Sequence, residues 1–488
     1  MAAVVVGGGC AVVPPESGRA PVDAMLVDRG VPADAAQRDL LASLLSRPVS
    51  AESAVRIALI NNPDIQSQYA RLGYGAADVY AAGRVRNPVF SAATLDPDAA
   101  GERDQLTFGL AASVTDLITF PARRRLSDAA FTALQQDIGA IVMRLAGDVQ
   151  IAWYDYVAAQ QIAALRRQVA RAGTLRAALA ERFRSAGNLS AREQAFERAA
   201  ASEARLQALD ADAVAFAART RLASLLGVSV ADDWHTPKQL RLPADPETGV
   251  ESLLRLAGEQ RLDLAAAASH AARLADRKGV VNWTRWLGEL EIGAERERES
   301  GGERLSGPTL AWEVPVFSQH RDEWLRADAD LKIAIAQLKR ITIDVDNDVR
   351  LAHAQVANAR ARIDEYRNAL IPQRTAIVER AQEQLNYMLI GAFELLTLKQ
   401  HEFDTYAGYL GAVRDYWIAR AALDHAVGRL LPDAARGEAI DVDGLINAPT
   451  DGAHGGMDHS MHHKPGPDGN EPASDGHSTP HQHDGESQ

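Results

Sequence analysis

The sequence has one cysteine, Cys10, so neither an intrachain disulfide nor a cysteine-based zinc site can form. It has no apolar run of about 18 residues or more, which removes a transmembrane helix. Barrel strands are shorter and carry a much weaker signal, so they stay open. Aromatics reach only 6 %, while Ala and Leu dominate the apolar fraction, a balance that favours helix over strand. A basic excess is missing too. The net charge of −13 argues against a nucleic-acid groove. No GxSxG, Walker loop, HExxH or CxxC occurs. His353 and His401 lie far apart on helical stretches, and His235, His270, His320 and His425 read as surface or packing residues.

Both ends stand apart in composition. The start, MAAVVVGGGC, is small and apolar, is followed by AVVPPE, and looks like the end of a bacterial lipoprotein signal with Cys10 as the lipidated residue. No Lys or Arg precedes the apolar run, and Gly7 stands where Leu is usual. Either the sequence begins inside a longer signal, or the cysteine is fortuitous; lipidation is the expectation. The other end, from residue 433, is rich in Gly, Pro, Asp and Ser and is too polar to offset the entropy of ordering. It gathers seven of the 13 histidines, His454, His459, His462, His463, His477, His481 and His483, together with Met457 and Met461. Imidazole and thioether are ligands for soft or borderline metals, so weak binding of copper or another transition metal is expected there.

The body between them is written twice. ALINNPDI (Ala58 to Ile65) has a counterpart in AGEQRLDL (Ala257 to Leu264), and LITFPARRR around Phe120 in VPVFSQHR around Phe317. DVQIA (Asp148 to Ala152) matches DVRLA (Asp348 to Ala352), and FRSAG (Phe183 to Gly187) matches YMLIG (Tyr387 to Gly391). The order is kept at a separation of about 200 residues, which implies a tandem duplication. The expected organisation is an N-terminal extension over 1–48, repeats over 49–246 and 247–432, and a tail over 433–488.

Each repeat opens with a short helix, Ser50 to Arg84 and Glu251 to Lys278. Two strand-like segments follow. In the second repeat Leu290, Ile292 and Ala294 alternate with acids or Gly, and Leu310, Trp312, Val314 and Val316 share one face. In the first, Leu106, Phe108, Leu110, Ala112 and Val114 alternate with Thr107, Gly109, Ala111, Ser113 and Thr115. The turns are DPDAAGERD and RESGGERLSG. Two readings fit: a hairpin packed on a soluble core, or transmembrane strands with the small residues toward a lumen. Trp283, Trp286 and Trp312 near the strand ends suit an aromatic girdle.

Long helical patterns come next. Leu134, Ile138, Ile141, Leu145, Val149, Ala152, Tyr156 and Ala159 recur at steps of three and four, as do Leu331, Ile335, Leu338, Val345, Val349, Ala352 and Val356 with one longer step. Residues 122 to 186 hold no Pro, enough for a helix approaching about 100 Å. Each ends at a glycine turn, AGNLS or IGAFE, and a second helix returns, ending near Gly227 and Leu431. Such hairpins need lateral neighbours. If the strands are transmembrane, four per chain cannot close, so several copies must pool them; two would give a filled lumen and three a water channel.

Duplicated strand hairpins and long helical hairpins behind a possible anchor resemble the TolC family of outer-membrane efflux ducts, over about residues 10 to 432. The resemblance implies a mainly α chain with a β-barrel part: a homotrimer with a twelve-stranded outer-membrane barrel on a periplasmic α-helical barrel. It implies a conduit rather than an enzyme, with a periplasmic adaptor and an inner-membrane RND pump as partners. It places the periplasmic entrance at Glu394, with Thr397 where the family's pattern has a second acid. A ring of Glu394 would attract cations, though an acid there also suits the helix dipole. The turns at Gly187 and Asn188, and at Gly391 and Phe393, are the expected adaptor contacts. LEIGAERERESGGERLSGPTLAWEVPVFSQ looks more like the heavy-metal branch, and MDHSMHH resembles tracts of bacterial copper-handling proteins. The expected cargo is therefore copper or silver, with cobalt, zinc, cadmium or nickel next. Drug or solvent efflux, type I secretion, or a soluble periplasmic coiled-coil metal binder are the alternatives.

Overall fold

A computed structural model describes residues 13–32, 38–96, 103–243, 249–432 and 437–440. Two short N-terminal helices, α1 (Arg19–Val27) and α2 (Arg38–Leu45), precede a succession that occurs twice. The first comprises α3 (Ala51–Asn61), α4 (Pro63–Ala82), β1 (Val89–Leu95), β2 (Gln105–Ser113), α5 (Val114–Ser185) and α6 (Ala191–Leu226). The second comprises α7 (Val250–Gln260), α8 (Leu262–Thr284), β3 (Leu290–Arg298), β4 (Arg304–Trp312), α9 (Arg321–Glu365), α10 (Ile371–Asn386) and α11 (Ala392–Val427). No described helix is long and apolar enough to cross a membrane.

The opening helix expected in each half is in fact two. Asn62 and Arg261 sit at the breaks with almost the same extended backbone, φ −68°, ψ 120° and φ −68°, ψ 115°. Asn62 is followed by Pro63, whose fixed φ suits a first helical position and whose missing N–H costs nothing there. The Asn62 Oδ1 accepts from the Asp64 and Ile65 N–H groups at 2.8 and 3.2 Å, capping α4. Its amide donates to the Leu225 carbonyl at 2.9 Å, near the end of α6. In the second half the Arg261 guanidinium donates to the Ala426 carbonyl of α11 at 3.3 Å and binds Asp263 at 2.5 Å. Gly227 and Gly428 end the two returning helices in the left-handed region. A Cβ at Gly227 would stand 2.6 Å from the Asn61 carbonyl oxygen, and one at Gly428 2.9 Å from the Arg261 Cα. In each half, then, the last helix ends against the break in the first.

The strands form one antiparallel sheet in the order β1-β2-β3-β4. The period-two reading holds, with shifted ends. Ser113 accepts from the Asp116 N–H and starts α5, so Val114 and Thr115 are helical rather than strand. α5 then runs through Pro121, which the proline count had left outside. β4 begins inside the glycine-rich turn and ends at Trp312, leaving Val314, Val316 and Phe317 beyond it and exposed. Pro308 sits within β4, on the edge of the sheet. Hydrogen bonds Glu313 N–H to Glu289 O and Glu299 N–H to Glu303 O flank the β3–β4 ladder at odd positions. Pro308 is opposite Ala294, an even position, so its missing N–H faces the free edge, where a proline is tolerated.

α5, of 72 residues, spans about 110 Å at 1.5 Å per residue. It packs against α6, α8, α11 and α4, which is why Val142, Ala146, Trp153 and Val157 are buried as well as the expected stripe. Its partner in the second half is interrupted. Residues Tyr366–Leu370 form a π-turn, the Ile371 N–H reaching back to the Tyr366 carbonyl, directly before Pro372. Proline cannot donate, and the wider turn absorbs the missing bond. Tyr366 lies over Gly408, where a Cβ would fall 2.5 Å from its hydroxyl. On α9, Val345, Val349, Ala352 and Val356 are buried as expected, whereas Ile335 faces outward and Ala334 takes the inner position.

The Asn62→Ala variant loses both the α4 cap and the tie to α6. We expect about 1–2 kcal/mol of destabilisation, read as a lower urea midpoint by far-UV circular dichroism. An unchanged midpoint would remove the junction from the account.

Candidate functional site

Register sorts the sheet into two chemically different faces. Phe90 stands beside Leu110, which stands beside Ala294, which stands beside Pro308. Along those levels one face collects Phe90, Leu106, Phe108, Leu110, Leu290, Ile292, Leu310 and Trp312. The rings of Phe90 and Phe108 stack on it, 6.3 Å apart. The other face collects Ser91, Thr107, Gly109, Gly293, Thr309 and Ala311, with Glu291, Glu295 and Glu297 along β3 and with Val89, Leu95 and Leu305 near the strand ends. Large apolar side chains on the first face are exposed: Phe90 by 66 %, Leu310 by 70 % and Trp312 by 55 %. No layer of the described chain covers them. Within the described residues the apolar side of the hairpins is therefore not packed on a core, unlike the soluble-core reading, in which it points inward. β1 and β4 are exposed along their length, and their outer edges are unpaired in the single chain.

At the far ends of the helices lie the two turns. Gly187 takes φ +83°, which a residue without a Cβ adopts freely, and Asn188 follows it. Ser190 then caps α6 reciprocally with Glu193. The second turn exposes Tyr387, Met388 and Leu389 and enters α11 at Gly391. Phe393 meets Phe183 edge-on, with ring centres 6.0 Å apart, so the two turns are neighbours. Glu394 is exposed in the first turn of α11.

Thr397 is not simply a missing acid. Its hydroxyl donates to the Phe393 carbonyl at 2.9 Å and accepts from Arg176 at 3.0 Å. Arg176 in turn forms a two-pronged pair with Glu197, one prong at 2.8 Å, and both side chains are buried. The guanidinium therefore joins α5, α6 and α11 just behind the turns. Sequence reading missed this pair. Arg176 and Glu197 lie at nearly equal distances on either side of the Gly187 turn, the spacing that hairpin geometry makes adjacent. Higher up, Arg166 binds Asp404 at 2.5 Å and ties α5 to α11 again.

Among the described residues no group of His, Cys, Asp and Glu is arranged to hold a metal. Cys10 and the tail ligands, His454, Met457, His459, Met461, His462, His463, His477, His481 and His483, lie outside the described residues. Of the scattered histidines, His425 packs against Gly147, and burial, then Arg261 and Arg144, push its pKa down. His235 and His401 are exposed.

Breaking the Arg176–Glu197 pair from one side leaves a buried charge unmatched. Arg176→Ala should cost about 3–5 kcal/mol, whereas the paired change Arg176→Met with Glu197→Leu should recover most of it. Urea midpoints of the single and double variants decide; equal losses would contradict the pairing.

No family model and no curated protein matches the sequence. Solved structures do. A membrane protein from Pseudomonas aeruginosa is 18 % identical with a TM-score of 0.67, covering 78 % of this chain and 92 % of that one. The CmeC outer membrane channel of Campylobacter jejuni is 14 % identical with a TM-score of 0.66, covering 79 % and 87 %. CusC, described in connection with transmembrane channel formation, is 12 % identical with a TM-score of 0.65, covering 78 % and 92 %. The chain thus has the fold of these outer-membrane channels, in keeping with its resemblance to the TolC family.

Proposed function

We propose that this chain is a TolC-family channel of the outer membrane, assembled as a homotrimer and serving a tripartite efflux system. One observation carries the reading: a four-stranded sheet with an exposed apolar face, a small and acidic face, and two open edges. In hydrocarbon every backbone group must be paired, so the edges have to meet those of other copies. Three copies give twelve strands and a lumen wide enough for water. Glu291, Glu295 and Glu297 then line it and favour cations. Exposed apolar residues of α6 (Phe196, Leu206, Leu209) and of α9 (Leu325, Ile333, Ile343) supply surface for lateral neighbours in a helical tube. The chain is a conduit, not an enzyme. The turns at Gly187, Asn188, Gly391 and Phe393 serve as contacts for a periplasmic adaptor, with Glu394 and Thr397 at the entrance and an inner-membrane pump beyond. Cys10 anchors the chain by lipidation.

Copper or silver is the cargo, because the tail concentrates imidazole and thioether donors and the lumenal face is acidic. Donors of this kind in a Gly- and Pro-rich tract would bind ions by local chelation rather than select them by geometry. Growth of a strain lacking the gene tests the reading in copper, silver, zinc, nickel and a lipophilic drug. It is complemented by the full chain or by a version ending at Ala448. We expect metal sensitivity that the full chain restores and the truncated chain restores less well. Drug sensitivity with unchanged metal tolerance would overturn the cargo, and full rescue by the truncated chain would remove the tail's role.

A further inference from the structure

The apolar face of the sheet changes character at one end. Leu106, Arg298 and Arg304 share one level of β2, β3 and β4, and Phe108, Arg296 and Ser306 share the next. Three arginines therefore stand on the face that carries Phe90, Leu110, Ile292 and Leu310. They lie at the hairpin-turn end, whereas Ser113 and Trp312 at the other end lead into α5 and toward α9. No acid shares that face within the strands; Glu291, Glu295 and Glu297 all project from the opposite one. Arg298 and Arg304 are direct cross-strand partners, a like-charge juxtaposition that opposes pairing. Among the described residues no ion pair reaches any of the three. The Arg298 side chain donates to the Asp104 carbonyl at 3.4 Å, and its Nε is buried without a partner.

An arginine cluster on an apolar face whose strands carry no acid suits an anion from outside the chain. From Trp312 to Arg304, β4 rises about 27 Å along its length at 3.4 Å per residue, shortened by tilt. At a tilt of about 35–45° this covers about 19–22 Å of depth, less than the apolar band of about 25 Å in membrane barrels, and the long arginine side chains reach on to the headgroup level when Trp312 marks the opposite interface. A guanidinium fork matches phosphate oxygens in pairs, and the aromatic and aliphatic side chains beneath suit acyl chains.

We propose that Arg296, Arg298 and Arg304 bind the phosphorylated headgroup of a glycolipid, lipid A, in the leaflet farther from the helices. The inference rests on the outer-membrane reading. Bound phosphate relieves the Arg298–Arg304 repulsion, so the lipid clips β3 to β4 at the rim.

The test uses the full-length chain in detergent, with native mass spectrometry reading retained lipid and a melting curve reading stabilisation. The probes are bisphosphorylated lipid A, dephosphorylated lipid A, phosphatidylglycerol and inorganic phosphate. Flotation with phosphatidylethanolamine vesicles checks insertion separately. We expect the wild-type chain to retain bisphosphorylated lipid A at least tenfold better than the dephosphorylated form. The Arg296→Gln, Arg298→Gln, Arg304→Gln triple variant should lose that preference while still floating with vesicles. Arg304→Gln alone, which leaves the strand pairing less strained, gives the same reading should the triple variant not insert. Equal retention by wild type and variants overturns the site. Equal retention of phosphatidylglycerol overturns the glycolipid, and displacement by equimolar inorganic phosphate marks an adventitious anion only. A wild-type chain that enters no vesicle fails the outer-membrane reading itself, a result distinct from these.

Discussion

The unpaired edges of the four-stranded sheet are the constraint on which the rest depends. A strand edge is a row of donors and acceptors, solvated in water but prohibitive in hydrocarbon. Because the large side chains of one face have no cover within the described chain, the sheet needs an apolar surrounding. In the proposed assembly, further copies satisfy the edges of β1 and β4. An even number of strands per chain keeps every seam antiparallel, so identical chains can close by repetition. In the same proposed assembly the long hairpins are staves of a tube, where the apolar residues left outward on α6 and α9 would meet neighbours.

The two halves share a joint and differ in their staves. Asn62 and Arg261 solve one problem with different chemistry. Each breaks its helix pair at the same backbone angles and caps the last helix of its half through a main-chain carbonyl, Leu225 for one and Ala426 for the other. Around this joint, α5 is a single helix buried by neighbours on several sides. Its counterpart is divided by the π-turn before Pro372 and is exposed over much of its surface. Near the turns, Arg176 holds α5, α6 and α11 together through Glu197 and Thr397. A threonine where an acid was expected thus accepts from an arginine that already has its carboxylate.

Much of this was legible in the sequence, for reasons tied to particular residues. Period-two alternation at Leu106–Ala112 and Leu290–Ala294 identified strands and faces correctly, because register flips a whole face at once. Glycines at 187, 227 and 391 marked the ends of helices. Asn-Asn-Pro holds a break signal inside the single helix expected over 50–84, while Arg261 has no local signature and became visible only through its distant carbonyl partner. The start of β4 was hidden because Arg304 to Gly307 have a turn's composition but pair with β3 all the same. Pro121 looked like a boundary, yet the Ser113 cap and the Asp116 pairs with Arg86 and Arg123 start the helix before it. Buried charge across a hairpin, as in Arg176 and Glu197, is invisible to any window of neighbouring residues.

Closure of the sheet between copies is the central claim, and disulfide trapping tests it most directly. One cysteine replaces Ala93 on β1, and a second is moved along β4 from Leu305 to Ala311, in parallel with Cys10 kept and with Cys10→Ser. Oxidation of protein extracted from outer membranes should link different copies into a covalent ladder ending at three. Links should form at odd β4 positions, which share a face with Ala93, and fail at even ones. Absence of any link between copies along β4, in protein recovered from that membrane, would contradict the account.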